Sequence, residues 1–236
     1  WSVLDGLPFD GVSLWLEAGR AAGVVAGGLH ERLRGVHPDV ATLHGGWGDD
    51  PLAQLAESGE VPEGLGTRLA GLARLAEWTR TEAPGMRAAA VSTQPYAEAG
   101  ATAIDEVGIA LATGVAYLRA LDEGGVPWDA CCGQLAFTVT VGADLFMDVA
   151  KLRALRRGWA RVIEACGGAP SDRAAYVHVR STRRRRSRRD PWVNMLRATG
   201  ESAAAAIGGA DAVTVLPFDT EWGEPGDLGR RIARNT

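Results

Sequence analysis

From residue 87 onward the chain alternates short stretches of strand character with long stretches of helical period. That alternation constrains the fold more than any other feature. Arg87–Thr93 (RAAAVST), Leu135–Val141 (LAFTVTV), Ala174–Ser181 and Asp211–Pro217 (DAVTVLP) read as strands. Between them lies Ala97–Leu121, where Ile104, Val107, Leu111, Val115 and Leu118 recur at threes and fours. Ala143–Ala165 follows, with Leu145, Val149, Leu152, Trp159 and Ile163 on one face, then Pro191–Ile207, and Gly226–Arg234 starts another helix. Glycine pairs at Gly124–Gly125, Gly167–Gly168 and Gly208–Gly209 stop the helices. Strand, helix, strand in this order implies parallel pairing through right-handed crossovers.

The front of the chain is less regular. Residues 10–16 and 39–44 suit strands, the second closed by Gly45 and Gly46. Residues 21–35, 51–59 and 64–82 suit helices, with Leu65, Leu69, Leu72 and Leu75 or Ala76 on one face of the last and Trp78 beside them. The expected fold is α/β, a (β/α)8 TIM-type barrel. About six strands are visible, so one or two barrel strands are expected beyond the ends of the chain. An open doubly wound sheet is the alternative, but no GxGxxG follows any strand.

A formal charge of −4 argues against a globally basic nucleic-acid binder. Lys151 is the only lysine in a chain rich in arginine. Cys131, Cys132 and Cys166 form an odd set without CxxC, which suits a reducing, cytoplasmic setting and buried, inert thiols at 131 and 132. No apolar run approaches the roughly 18–20 residues of a membrane span, and no signal peptide is visible. The chain runs from Trp1 to Thr236 in mid-pattern and reads as a piece of something longer.

The densest local signal is Tyr176–Arg197 (YVHVRSTRRRRSRRDPWVNMLR): a strand, an arginine loop, then a helix opened by the capping pair Asp190-Pro191. Arg183, Arg184, Arg185 and Arg186, with Arg188 and Arg189, suit an anion site or a partner-facing surface. No aromatic residues interleave the run, which disfavours stacking on single-stranded nucleic acid. His178 lies near the end of its strand, either structural or a remnant of a site. His30, His37 and His44 have no metal-ligand spacing around them, and no metal is expected. Trp78, Trp159 and Trp192 fall in helical segments as core or interface residues.

Several ordered stretches resemble the B12-dependent acyl-CoA mutases, the methylmalonyl-CoA mutase family. They are AEAGATAIDEVGIALATGVAYLRAL (97–121), QLAFTVTVGADLFMDVAKLRALRRGWARVIEACG (134–167), DPWVNMLRATGESAAAAIGGADAVTVLPFD (190–219) and RRIARNT (230–236). The resemblance is to a mutase-like barrel core over residues 93–236, with residues 1–92 as its divergent N-terminal part. It is most like the family's small, non-catalytic (beta) subunit.

In catalytic members a histidine precedes the EAG segment and hydrogen-bonds the thioester carbonyl. Here the matching position is Pro95, which has no donor. The Arg and Ser of the family's RLSFF strand, which contact CoA, become Gln134 and Ala136. His178 keeps the histidine of the run beside the corrin, while its Ser-Gly-Trp becomes Thr182, Arg183 and Arg184. The resemblance thus implies a chain without catalytic residues of its own, with Gln134, Ala136 and His178 as inherited pocket positions. It implies a heterodimer with a larger catalytic subunit that isomerises an acyl-CoA. Adenosylcobalamin would act at the level of the complex and would not bind this chain, because the Asp-x-His-x-x-Gly signature of the family's C-terminal B12 domain is absent from it. Two alternatives stand beside this: an active acyl-CoA mutase of altered acyl specificity, and a stand-alone pseudo-enzyme using Arg183–Arg189 to hold an anion or a partner.

Overall fold

The computed structural model describes residues 12–35, 42–142 and 144–236. Its elements are β1 (Ser13–Trp15), α1 (Ala22–Arg34), β2 (His44–Asp49), α2 (Pro51–Ser58), α3 (Leu65–Glu82), β3 (Met86–Ser92), α4 (Gln94–Ala99), α5 (Ala103–Glu123), α6 (Trp128–Cys131), β4 (Leu135–Val141), α7 (Leu145–Ala165), β5 (Val177–Ser181), α8 (Val193–Gly208), β6 (Ala212–Thr214) and α9 (Asp227–Asn235). Strand order follows chain order, β1 through β6. The described pairings, β1 with β2, β2 with β3, β4 with β5 and β5 with β6, are all parallel. The architecture is therefore α/β with parallel strands and helical crossovers, as the alternation predicts.

Two compact units divide the chain. The first holds the described residues up to Ala90 together with Val115–Ala136, and the second holds Val91–Gly114 and Phe137–Thr236. In the first unit the second strand departs from expectation. Residues 36–41 lie outside the described residues, and the strand occupies His44–Asp49, so Gly45 and Gly46 are inside it rather than closing it. The reason is proximity: a side chain at Gly45 (φ +139°) would fall on the Leu14 carbonyl, and one at Gly46 would strike the Trp15 ring. The glycines let β1 and β2 pair so closely (Leu14 with Gly45, Trp15 with Gly46). Trp47, fully buried, then packs against Trp78, which meets His30 edge-on at 5.2 Å.

β4, which belongs to the second unit from Phe137 onward, is buried at every position. α7 buries Val149, Leu152, Leu155, Trp159 and Ile163, much as its period predicts. Gly114 of α5 lies where any Cβ would come within 2.7 Å of Trp159, so α5 needs glycine there.

The single helix expected over 97–121 is two. Gly100 (φ +116°) ends α4 in a left-handed cap. Thr102 and Asp105 then start α5 reciprocally, Thr102 N donating to Asp105 at 2.9 Å and Asp105 N to the Thr102 hydroxyl at 3.2 Å. The inward face of α5 is also rotated from the apolar stripe. Ile104 is 80% exposed, whereas Glu106, Ala110, Thr113, Tyr117 and Leu118 are buried. Polar partners, not hydropathy, choose that face.

Substituting Gly45→Ala is expected to cost roughly 3 kcal/mol or more, from strained backbone and a clash with fixed main chain. Thermal unfolding checks it: a melting temperature within a degree or so of wild type would contradict the close pairing of β1 and β2.

Candidate functional site

In the second unit the ends of the strands converge on a cavity of about 340 Å3. Thr140 near the end of β4, Gly142 and Thr182 just after the strands, and Glu106, Asp148 and Lys151 from α5 and α7 all line it. Carboxyl ends of parallel strands are where barrel enzymes keep their chemistry.

The floor is a buried charge cluster. Lys151 Nζ donates to Glu106 at 2.7 Å and pairs with Asp148 at 3.1 Å, with all three side chains under one-tenth exposed. Glu106 also accepts from Thr93 Oγ1 (2.6 Å), Thr140 Oγ1 (3.0 Å) and Thr140 N (3.2 Å). Asp148 accepts from Gly142 N at 2.7 Å. A lysine this deep is tolerable only because two carboxylates face it, and the carboxylates only because hydroxyls and amides fill their lone pairs. The cluster ties α5, α7 and the end of β4 to Thr93, which follows β3.

The rim is the arginine loop, clamped on both sides. Glu98 of α4 accepts from Thr182 Oγ1 (3.1 Å), Arg183 N (2.7 Å) and Arg184 N (3.0 Å), so a carboxylate fills the anion cradle of the loop. On the far side Arg186 points inward. Its side chain is fully buried, pairs with Glu201 and donates to the Asn194 carbonyl at 2.8 Å. Burial pushes the Glu201 carboxyl up to about 7 against the pull of Arg186. Asn194 closes the loop, accepting from Ser187 N (2.9 Å) and donating to the carbonyls of Ser187 (2.9 Å) and Phe218 (3.0 Å).

The four arginines expected to act as one group therefore divide. Arg186 is an internal strut, Arg183 pairs with Glu221 at 3.0 Å, and Arg184 and Arg185 line the cavity. Asp190-Pro191 does not cap the next helix. That helix begins at Val193, and its N-cap, Trp192, makes no side-chain capping bond. Trp192 is 53% exposed and stacks on Phe218 at 4.9 Å, so it is not a core residue.

Residues 2–236 match the sequence profile of the family described as methylmalonyl-CoA mutase. The chain belongs to the methylmalonyl-CoA mutase family. It is 46% identical over 239 residues to the methylmalonyl-CoA mutase small subunit of Streptomyces virginiae, covering 99% of this chain and 37% of that protein. It is 38% identical over 193 residues to the small subunit of Propionibacterium freudenreichii subsp. shermanii, covering 80% and 29%. It is 33% identical over 166 residues to the methylmalonyl-CoA mutase of Escherichia coli strain K12, covering 70% and 23%. The chain thus spans well under half the length of the curated relatives it matches.

The positions expected to face a ligand lie on α4, on β4 with the turn before it, and on β5. Pro95 lies in the first turn of α4, where a missing N–H costs nothing. Gln134 is buried in the 3-10 turn before β4 with its Oε1 unpartnered, and Ala136 is buried in β4; both belong to the first unit. His178 lies in β5, in register with Thr138, and shares a 2.7 Å hydrogen bond with Thr214 Oγ1. It does not line the cavity. Burial alone pulls its imidazole down to about 4, which keeps it neutral at physiological pH.

Among the described residues no three His, Cys, Asp or Glu side chains gather as a metal site. His30 shares a hydrogen bond with the Glu82 carbonyl at 3.1 Å, and His37 lies outside the described residues. Cys131 is buried, which raises its thiol to about 11 and leaves it a poor nucleophile at neutral pH. No helix among the described residues is long and apolar enough to cross a membrane.

The residues that build the site were hidden in sequence: Glu98, Glu106, Asp148 and Lys151. One signal pointed to them. The only lysine of an arginine-rich chain stands three residues after an acid, beside an apolar helical stripe.

Replacing Lys151→Met is expected to cost roughly 3–5 kcal/mol, by stranding Glu106 and Asp148 as buried unpaired charges. Urea unfolding measures it, and a loss below about 1 kcal/mol would show the lysine to be dispensable. His178 predicts a pH dependence of its own. Its folded value, about 4, lies below the ordinary 6.5, so the unfolded chain binds the extra proton between them. Stability should fall as pH drops from 6.5 towards 4, by on the order of 3 kcal/mol from this group. That part of the slope should vanish in His178→Gln.

Proposed function

We propose that this chain forms the greater part of a (β/α)8 barrel in the small, non-catalytic subunit of a methylmalonyl-CoA mutase-type heterodimer. Its larger partner carries adenosylcobalamin and isomerises an acyl-CoA in the cytoplasm, and this chain supports that partner. The observation that carries the reading is the commitment of the cavity's charged floor to itself. Glu106 accepts from two threonine hydroxyls, a backbone amide and Lys151, so it is not available as an acid or base. Pro95 supports the same reading, because a proline cannot polarise a thioester carbonyl where the family's histidine would. Two of the relatives described above are named small subunits, and that naming points the same way.

The likeness to the Escherichia coli protein, named simply methylmalonyl-CoA mutase, favours a second reading: an active mutase whose altered pocket takes another acyl group. Reconstitution separates the two. The full-length protein, purified with and without its larger homologue and supplied with adenosylcobalamin, is assayed for rearrangement of methylmalonyl-CoA and related esters. The expected result is stable co-purification with the larger chain and turnover only in its presence. Turnover by this chain alone would reverse the assignment.

A further inference from the structure

The cavity at the strand ends has unspent hydrogen-bonding capacity on its cations. Lys151 Nζ carries three donors; among the described residues two are used, on Glu106 and Asp148. Arg184 and Arg185 line the mouth, and among the described residues neither guanidinium has an ion-pair or hydrogen-bond partner. The Arg184 guanidinium lies over Gly100, close enough that a Cβ there would meet it at 3.7 Å.

The neighbouring carboxylates are engaged elsewhere. Glu98 is held by the loop amides and Glu106 by Thr93, Thr140 and Lys151. Asp148 is held by Lys151 and Gly142 N, Asp144 caps α7 through Met147 N, and Glu221 is paired with Arg183. The backbone that carries the two arginines is also held in place, because their loop is fixed by Glu98 before them and by the Arg186–Glu201 pair after them. A ligand would meet a rim whose backbone is already ordered, which lowers the entropic cost of binding.

We infer that this cavity is a binding site for a small molecule with one oxyanion head, a carboxylate or phosphate, seated between Arg184 and Arg185. Its body is neutral and carries an acceptor for the spare Lys151 N–H. A second anionic group on the ligand is disfavoured, since Glu106 and Asp148 leave the floor negative once Lys151 is counted. The walls suit a short neutral body: Ala97, Ala101, Ala103 and Met147 supply apolar surface. Binding at this cavity requires no turnover there and does not depend on which subunit performs the chemistry.

The test is calorimetric titration of the full-length protein at low salt with inorganic phosphate and, separately, 4-oxopentanoate, without the larger subunit and without cobalamin. Saturable binding with a Kd on the order of 1 mM is expected. The double variant Arg184→Gln/Arg185→Gln should weaken it at least about tenfold, a change of about 1.4 kcal/mol, with an unchanged melting temperature. The double variant Arg188→Gln/Arg189→Gln removes the same charge outside the cavity lining and should leave binding within about twofold. The tighter of the two probes identifies the head as phosphate or carboxylate. Absence of saturation, or equal weakening in both double variants, overturns the site. Should the Arg184/Arg185 variant bind both probes as wild type does, yet fail to co-purify with the larger homologue in the reconstitution, the rim is a protein-docking surface and the site is likewise overturned.

Discussion

A single buried ammonium organises the second unit. Lys151 draws Glu106 of α5 and Asp148 of its own helix to one point, and through Glu106 the threonines at the ends of β3 and β4. Apolar packing alone would leave these elements free to slide by a turn, because one alanine-lined face resembles another. A charge that must be matched in low dielectric admits one register. The rotation of α5, which leaves Ile104 in solvent and Glu106 inside, follows from that requirement.

The first unit solves a related problem with different chemistry. Asp49, buried beside Arg68 at 2.6 Å, is raised above its usual carboxylate value chiefly by burial, against the pull of the guanidinium. Asp50 caps α2 through Ala53 N at 2.9 Å and accepts the Tyr117 hydroxyl, which itself accepts from Leu52 N at 2.9 Å. In both units a carboxylate at or near a strand end fixes the helix that follows. The repeated device suits a fold built from strand–helix repeats, each needing its own register.

Much of this order was legible beforehand. Strand–helix alternation, the α7 stripe and the family all followed from periodicity and ordered motifs. The errors have physical causes. The 39–44 strand was misplaced because glycine is normally a terminator, whereas here Gly45 and Gly46 admit a neighbouring strand that no local rule can see. The break at Gly100 was missed because helical period persists on both sides of it. The arginine run looks uniform in sequence, yet Glu201 takes the Arg186 side chain, Glu221 takes that of Arg183, and Glu98 takes the main-chain amides of Arg183 and Arg184, at distances of 15 to 86 residues along the chain. Long-range pairing is what composition does not encode.

Glu98 has a consequence beyond its hydrogen bonds. It is a counter-ion on a leash: the chain itself sets its local concentration at the loop amides, and dilution or dialysis cannot lower it. Dissolved anions compete for those amides at a standing disadvantage. The backbone of residues 182–184 should therefore keep one shape as the buffer or a bound anion changes, leaving only the long guanidinium arms beyond it to respond.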